Sequence, residues 1–139
     1  MVRKVDLPEL RRIRHEVVGI IHDLGVDLEA DKEGDVMLVV GEALTNIVEH
    51  GECHEIDLGV AALTDRVIVT IGAPCYRDPQ ETRRWFKNGC LDADDKNERG
   101  RGSRNMKALS KVRIHKGSID LEFKLPMIRP TTEPQMATA

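Results

Sequence analysis

The stretch Gly41-Glu42-Ala43-Leu44-Thr45-Asn46-Ile47-Val48-Glu49-His50-Gly51 decides how the rest of the chain is read. Helical residues advance by about 100° each. Glu42, Asn46 and Glu49 therefore fall within roughly 60° of one another, with His50 at the edge of that stripe. Val40, Ala43, Leu44, Ile47 and Val48 point largely the other way. A helix of this kind packs by its apolar face and offers its polar groups to a cleft. Carboxylate and amide oxygens are hard ligands that suit Mg²⁺, and a Glu beside them has the chemistry of a general base. The same letters also fit a plain solvated helix face.

Upstream, Leu7 to Leu24 places Leu7, Leu10, Ile13, Val17, Ile20, Ile21 and Leu24 at helical spacing. Pro8 suits the first turn of that helix and Gly25 its end. Asp31 to His50 reads as the second helix, with Asp31 at its N-cap and Gly51 as its stop. Downstream, Glu55 to Leu63 and Val67 to Ile71 flank a turn at Asp65-Arg66 and read as a hairpin. Gly72 to Pro79 is a loop by its Gly and Pro content, and Gln80 to Lys87 a short helix. Asn88 to Arg99 is polar and has little to bury. Gly100-Arg101-Gly102 opens a helix over Ser103 to Ser110, and Val112 to His115 with Ile119 to Leu125 form a closing hairpin around Lys116-Gly117. From Pro126 the chain holds three of its six prolines and no periodicity, so 126–139 reads as a disordered tail. Residues 1–125 make one domain. Grouped strands with helices able to cover one sheet face predict an α+β two-layer sandwich.

Composition narrows the partners. Aromatics are 3% of the 139 residues, so the core must be built from Val, Leu, Ile and Ala. A formal net charge of -3 gives no electrostatic case for nucleic acid or an anionic membrane. No apolar run approaches the roughly 20 residues of a membrane span, and the N-terminus lacks the apolar stretch of a secretory signal. A cytoplasmic location is expected. Three cysteines without an export signal read as reduced thiols. His50, Cys53 and His54 lack the paired spacing of a zinc site.

The order of elements and two motifs resemble the GHKL (histidine-kinase-like) ATPase superfamily, which includes histidine kinases and gyrase. Within it, the likeness is to the anti-sigma factor serine/threonine kinases of bacterial partner-switching systems, and it covers about Leu7 to Leu125. The resemblance implies the Bergerat type of two-layer α/β sandwich, a mixed sheet covered by helices on one face. Glu42-Ala43-Leu44-Thr45-Asn46-Ile47-Val48-Glu49-His50 looks like the family's N-box, E-A-x-x-N-x-x-x-H. That likeness implies Glu42 as catalytic base, Asn46 as the Mg²⁺ ligand, and Glu49 and His50 beside the bound nucleotide. Gly100-Arg101-Gly102-Ser103 is similar to the G2 box beside the phosphates. Glycines let a backbone approach an anion closely, and a helix N-terminus presents free N–H groups to it. Arg101, between the two glycines, or Arg104, just after them, can offset phosphate charge. Gly117-Ser118 stands where the family has a final Gly-Thr, and Ser118 keeps the hydroxyl.

One motif departs. The family's G1 box, D-x-G-x-G, follows the second hairpin strand, and its Asp accepts a hydrogen bond from the adenine amino group. Here that position is Ile71 or Gly72, and neither side chain accepts. A buried adenine edge without its partner costs about 1–3 kcal/mol.

Two functions are expected from these residues. The first is a regulatory kinase that binds ATP and Mg²⁺ and phosphorylates a STAS-type anti-anti-sigma partner. The alternative is a non-catalytic module of the same fold that sequesters a sigma factor or a STAS protein. The family also implies a homodimer.

Overall fold

The computed structural model describes residues 2–50, 53–84, 110–125 and 135–138. The elements run β1 (Val2–Lys4), α1 (Leu7–Asp23), α2 (Ala30–His50), β2 (Glu55–Ala62), β3 (Arg66–Gly72), a 3-10 turn (Pro74–Tyr76), β4 (Lys111–His115), β5 (Ser118–Lys124) and β6 (Gln135–Thr138). Residues 79–84 are also helical.

Local chemistry sets the helix ends. The Asp6 side chain accepts from the Glu9 N–H at 3.0 Å and caps α1, with Pro8 in its first turn. Gly25 (φ 86°) turns the chain out of α1, and its N–H donates to the His22 carbonyl at 2.9 Å. α2 begins one residue earlier than the sequence suggests. Asp31 lies inside its first turn with Glu33, where carboxylates complement the positive end of the helix dipole. His22 joins the two helices: one ring nitrogen lies 3.1 Å from the Val26 carbonyl and the other 2.5 Å from Glu33 Oε1.

Among the described residues the sheet has six strands in the order β1-β2-β3-β5-β4, with β6 also on β2. Every strand pair among the described residues is antiparallel, which corrects the expected mixed sheet there. β5 lies between β3 and β4, so the long connection from β3 to β4 makes no parallel pair. β1 and β6 share the outer edge of β2, against residues 55–57 and 59–62 respectively. β1 escapes a periodicity reading because it is three residues long. Gln135–Thr138 corrects the expectation that the whole of 126–139 is disordered, since it pairs with β2.

Strand alternation divides the sheet into two faces. Val60, Val69, Leu121 and Val112 form one cross-strand row on the helix side, and Leu58, Ile71, Ile119 and Ile114 the next. Against them pack Ile13, Val17 and Ile21 of α1 and Val36, Val40, Leu44 and Ile47 of α2, all buried. The core is aliphatic as composition requires, with Phe123 and Tyr76 as its large rings. The architecture is an α+β two-layer sandwich.

Candidate functional site

α2 presents its polar stripe as the spacing predicts, but to different depths. Glu42 is half-buried, Glu49 is exposed, and Asn46 is only 9% exposed. Among the described residues, Asn46 Nδ2 has no hydrogen-bond partner. A buried orphan donor costs about 1–3 kcal/mol, so this amide is the unusual group of the helix. His50 closes α2.

Gly41 precedes the stripe for a steric reason. A Cβ built there would come within 2.7 Å of Arg14 Cδ, so the missing side chain lets Arg14 of α1 lie across α2. Thr45 Oγ1 donates to the Gly41 carbonyl at 2.8 Å, turning its hydroxyl back onto the helix.

The segment in the G1 position folds into the protein. Ile71 is fully buried on the helix side of β3, and Gly72 ends the strand. Pro74–Tyr76 then makes a 3-10 turn whose Tyr76 ring is fully buried. Burial holds the Tyr76 hydroxyl well above its ordinary pKa, aided by Cys75 and Cys53. No carboxylate stands at Ile71, Gly72 or Ala73, so this turn does not fit the adenine contact the family uses.

This turn and the β4–β5 turn interlock. The Ala73 N–H donates to the Gly117 carbonyl at 3.1 Å, and the Gly117 N–H donates to the Tyr76 carbonyl at 2.7 Å. Ser118 follows, half-buried at the start of β5, level with Gly72 on one side and His115 on the other. The structure thus joins the turn after β3 to Gly117-Ser118, and α2 packs across β5. Two shallow hollows of about 320 and 410 Å³ lie here and share Asp57, Gly72 and Gly117. Neither is lined by Glu42 or Asn46. Gly100, Arg101, Gly102, Ser103 and Arg104 lie outside the described residues.

The sheet face away from the helices carries a polar network that the sequence did not single out. Thr70 Oγ1 donates to Asp120 Oδ1 at 2.8 Å, and His115 Nε2 lies 2.9 Å from Asp120 Oδ2. One register row along, Glu122 is only 7% exposed and is held by Arg66 Nη1 at 2.7 Å and Arg113 Nε at 3.6 Å. The alternation of Asp120 and Glu122 with Ile119, Leu121 and Phe123 puts them on the polar face. Their partners required the register.

Among the described residues, no group of three or more His, Cys, Asp or Glu side chains is arranged to hold a metal ion by itself. No helix among them is long and apolar enough to cross a membrane. No family model matches the chain, and no curated protein matches it significantly.

Proposed function

We propose that this chain is a histidine-kinase-like regulatory protein of the anti-sigma type, which binds ATP with Mg²⁺ on α2 and phosphorylates a serine of a STAS-type partner. The observation that carries this reading is the Asn46 amide, nine-tenths buried and with an orphan Nδ2 among the described residues, on the same helix side as the half-buried Glu42. A phosphate oxygen satisfies that donor, and the amide Oδ1 is a hard ligand for Mg²⁺. ATP bound there supplies the phosphoryl group. Asn46 positions it, and Glu42 orients the attacking hydroxyl and takes its proton. Gly100, Arg101, Gly102 and Ser103 serve the phosphates in this reading, and Ser118 contributes its hydroxyl.

A second reading is a partner-binding module without catalysis, recognising a sigma factor or a STAS protein. It is favoured by Ile71 and Gly72 in the adenine position and by the buried Tyr76 turn that follows. The loss of one adenine hydrogen bond, about 1–3 kcal/mol, weakens nucleotide affinity without removing the phosphate end of the site.

The test is incubation with ATP, Mg²⁺ and a STAS-domain protein, followed by mass spectrometry of that protein. Phosphoserine formed by the wild type and absent with Glu42→Ala supports the kinase. A stable complex without phosphorylation supports the second reading and rejects the first.

A further inference from the structure

The outer side of β2 is filled by two separate pieces of chain. β1 pairs with residues 55–57 and β6 with residues 59–62. Both run antiparallel to β2, so they lie in line along it, with Val2 against Asp57 and Thr138 against Gly59.

Backbone pairing seats β6 there. Among the described residues β2 is its strand partner, through the register Ala62 to Gln135, Ala61 to Met136, Val60 to Ala137 and Gly59 to Thr138. The segment Gln135-Met136-Ala137-Thr138 brings no charge. The other outer strands do, with Arg3 and Lys4 on β1 and Lys111 and Arg113 on β4. Cations on an edge discourage the addition of further strands, and β6 lacks that protection. Pro134 precedes β6 and has no N–H to lengthen the ladder. In the sheet, β3 and β2 lie between β5 and β6, a gap of three strand spacings or about 14 Å. Residues 125–134, fully extended, reach about 33 Å. The connection therefore tethers β6 without forcing it onto β2.

The acceptor strand is small along this stretch. Val60 and Ala62 are buried on the helix side, while Gly59 and Ala61 alternate onto the other face. A Cβ built on Gly59 would meet nothing within 4 Å. An added strand thus finds backbone groups to pair with and room beside Gly59 for a larger side chain than this chain brings.

We propose that the outer edge of β2 over residues 59–62 is a peptide-binding site, which takes an uncharged extended segment of a partner protein as an added antiparallel strand. β6 is its occupant in cis. It shows the polarity, length and lack of charge that the edge accepts. A tethered segment acts at an effective concentration near the millimolar range, so β6 competes with the partner and sets the threshold at which the partner displaces it. Glu42 and Asn46 have no part in this site.

The probe is a synthetic peptide of residues 134–139 with a fluorophore, titrated into the full-length protein. In the double variant Met136→Pro, Ala137→Pro the tethered segment loses its ladder and leaves the edge to the peptide. The expected result is saturable binding to that variant and binding about tenfold or more weaker to the wild type. A peptide with the same two prolines should bind neither. Hydrogen exchange gives the location: bound peptide should slow the amides of residues 59–62 in the variant. In the wild type, β6 amides should exchange about tenfold or more faster than those of β3. No binding to a variant that still unfolds cooperatively overturns the proposal, as does equal binding to variant and wild type. Wild-type β6 amides as protected as those of β3 overturn it even where the variant fails to fold. None of these readouts depends on nucleotide binding.

Discussion

The Gly117 N–H donates to the Tyr76 carbonyl at 2.7 Å, while the Gly117 carbonyl accepts from the Ala73 N–H at 3.1 Å. One residue of the β4–β5 turn thereby closes both ends of the turn that follows β3. Gly117 does so at φ +92°, where side chains are strained, although a Cβ there would meet nothing within 4 Å. Gly117→Ala should therefore cost about 1–2 kcal/mol from backbone conformation alone. Thermal unfolding should show a midpoint lower by several degrees. An unchanged midpoint would mean the turn relaxes freely.

At Asn46 stability and the proposed function can be separated. An orphan amide replaced by an apolar side chain of similar volume is neutral or stabilising. Asn46→Leu should keep or raise the urea midpoint and lose Mg²⁺-dependent ATP binding. A loss of more than about 1 kcal/mol of stability would show that the amide has a structural partner.

Glu122 is buried on the sheet face away from the helices, between Arg66 and Arg113. Arg66→Ala leaves that carboxylate with only the longer Arg113 contact and should cost about 1–3 kcal/mol. Glu122→Gln removes the charge along with the need for a cation and should cost less. Equal costs in chemical denaturation would contradict this ordering.

Alkaline pH should destabilise the fold through the Cys75–Tyr76 turn. The Cys75 pKa rises from an ordinary 9.0 to about 12, and that of Tyr76 rises well above 10. Both groups hold their protons longer in the folded state, so their contribution is intact below the unfolded values. For Cys75 it is lost as pH climbs from about 9 to about 12. Cys75→Ala should show a shallower fall of stability across that window. An identical slope would mean the thiol ionises freely in the fold.

The aliphatic patterns of α1, α2 and both hairpins were legible because each buries one face and repeats at helical or strand spacing. β1 and Gln135–Thr138 were not, because short edge strands carry too few residues to show alternation, and their pairing with β2 is a tertiary fact. The mixed sheet was expected from the family likeness, and the position of β5 between β3 and β4 removed the parallel pair. The stripe of Glu42 and Asn46 was readable, but the burial of Asn46 was not, since it depends on what packs beside α2.

The central claim is that α2 holds the phosphate end of a nucleotide site. Calorimetric titration with ATP, with and without Mg²⁺, on the wild type and on Asn46→Ala tests it most directly. The expected result is micromolar, Mg²⁺-dependent binding to the wild type that disappears in Asn46→Ala while the fold persists. No heat of binding to the wild type up to millimolar ATP would contradict it and leave α2 as a packing helix of a partner-binding module.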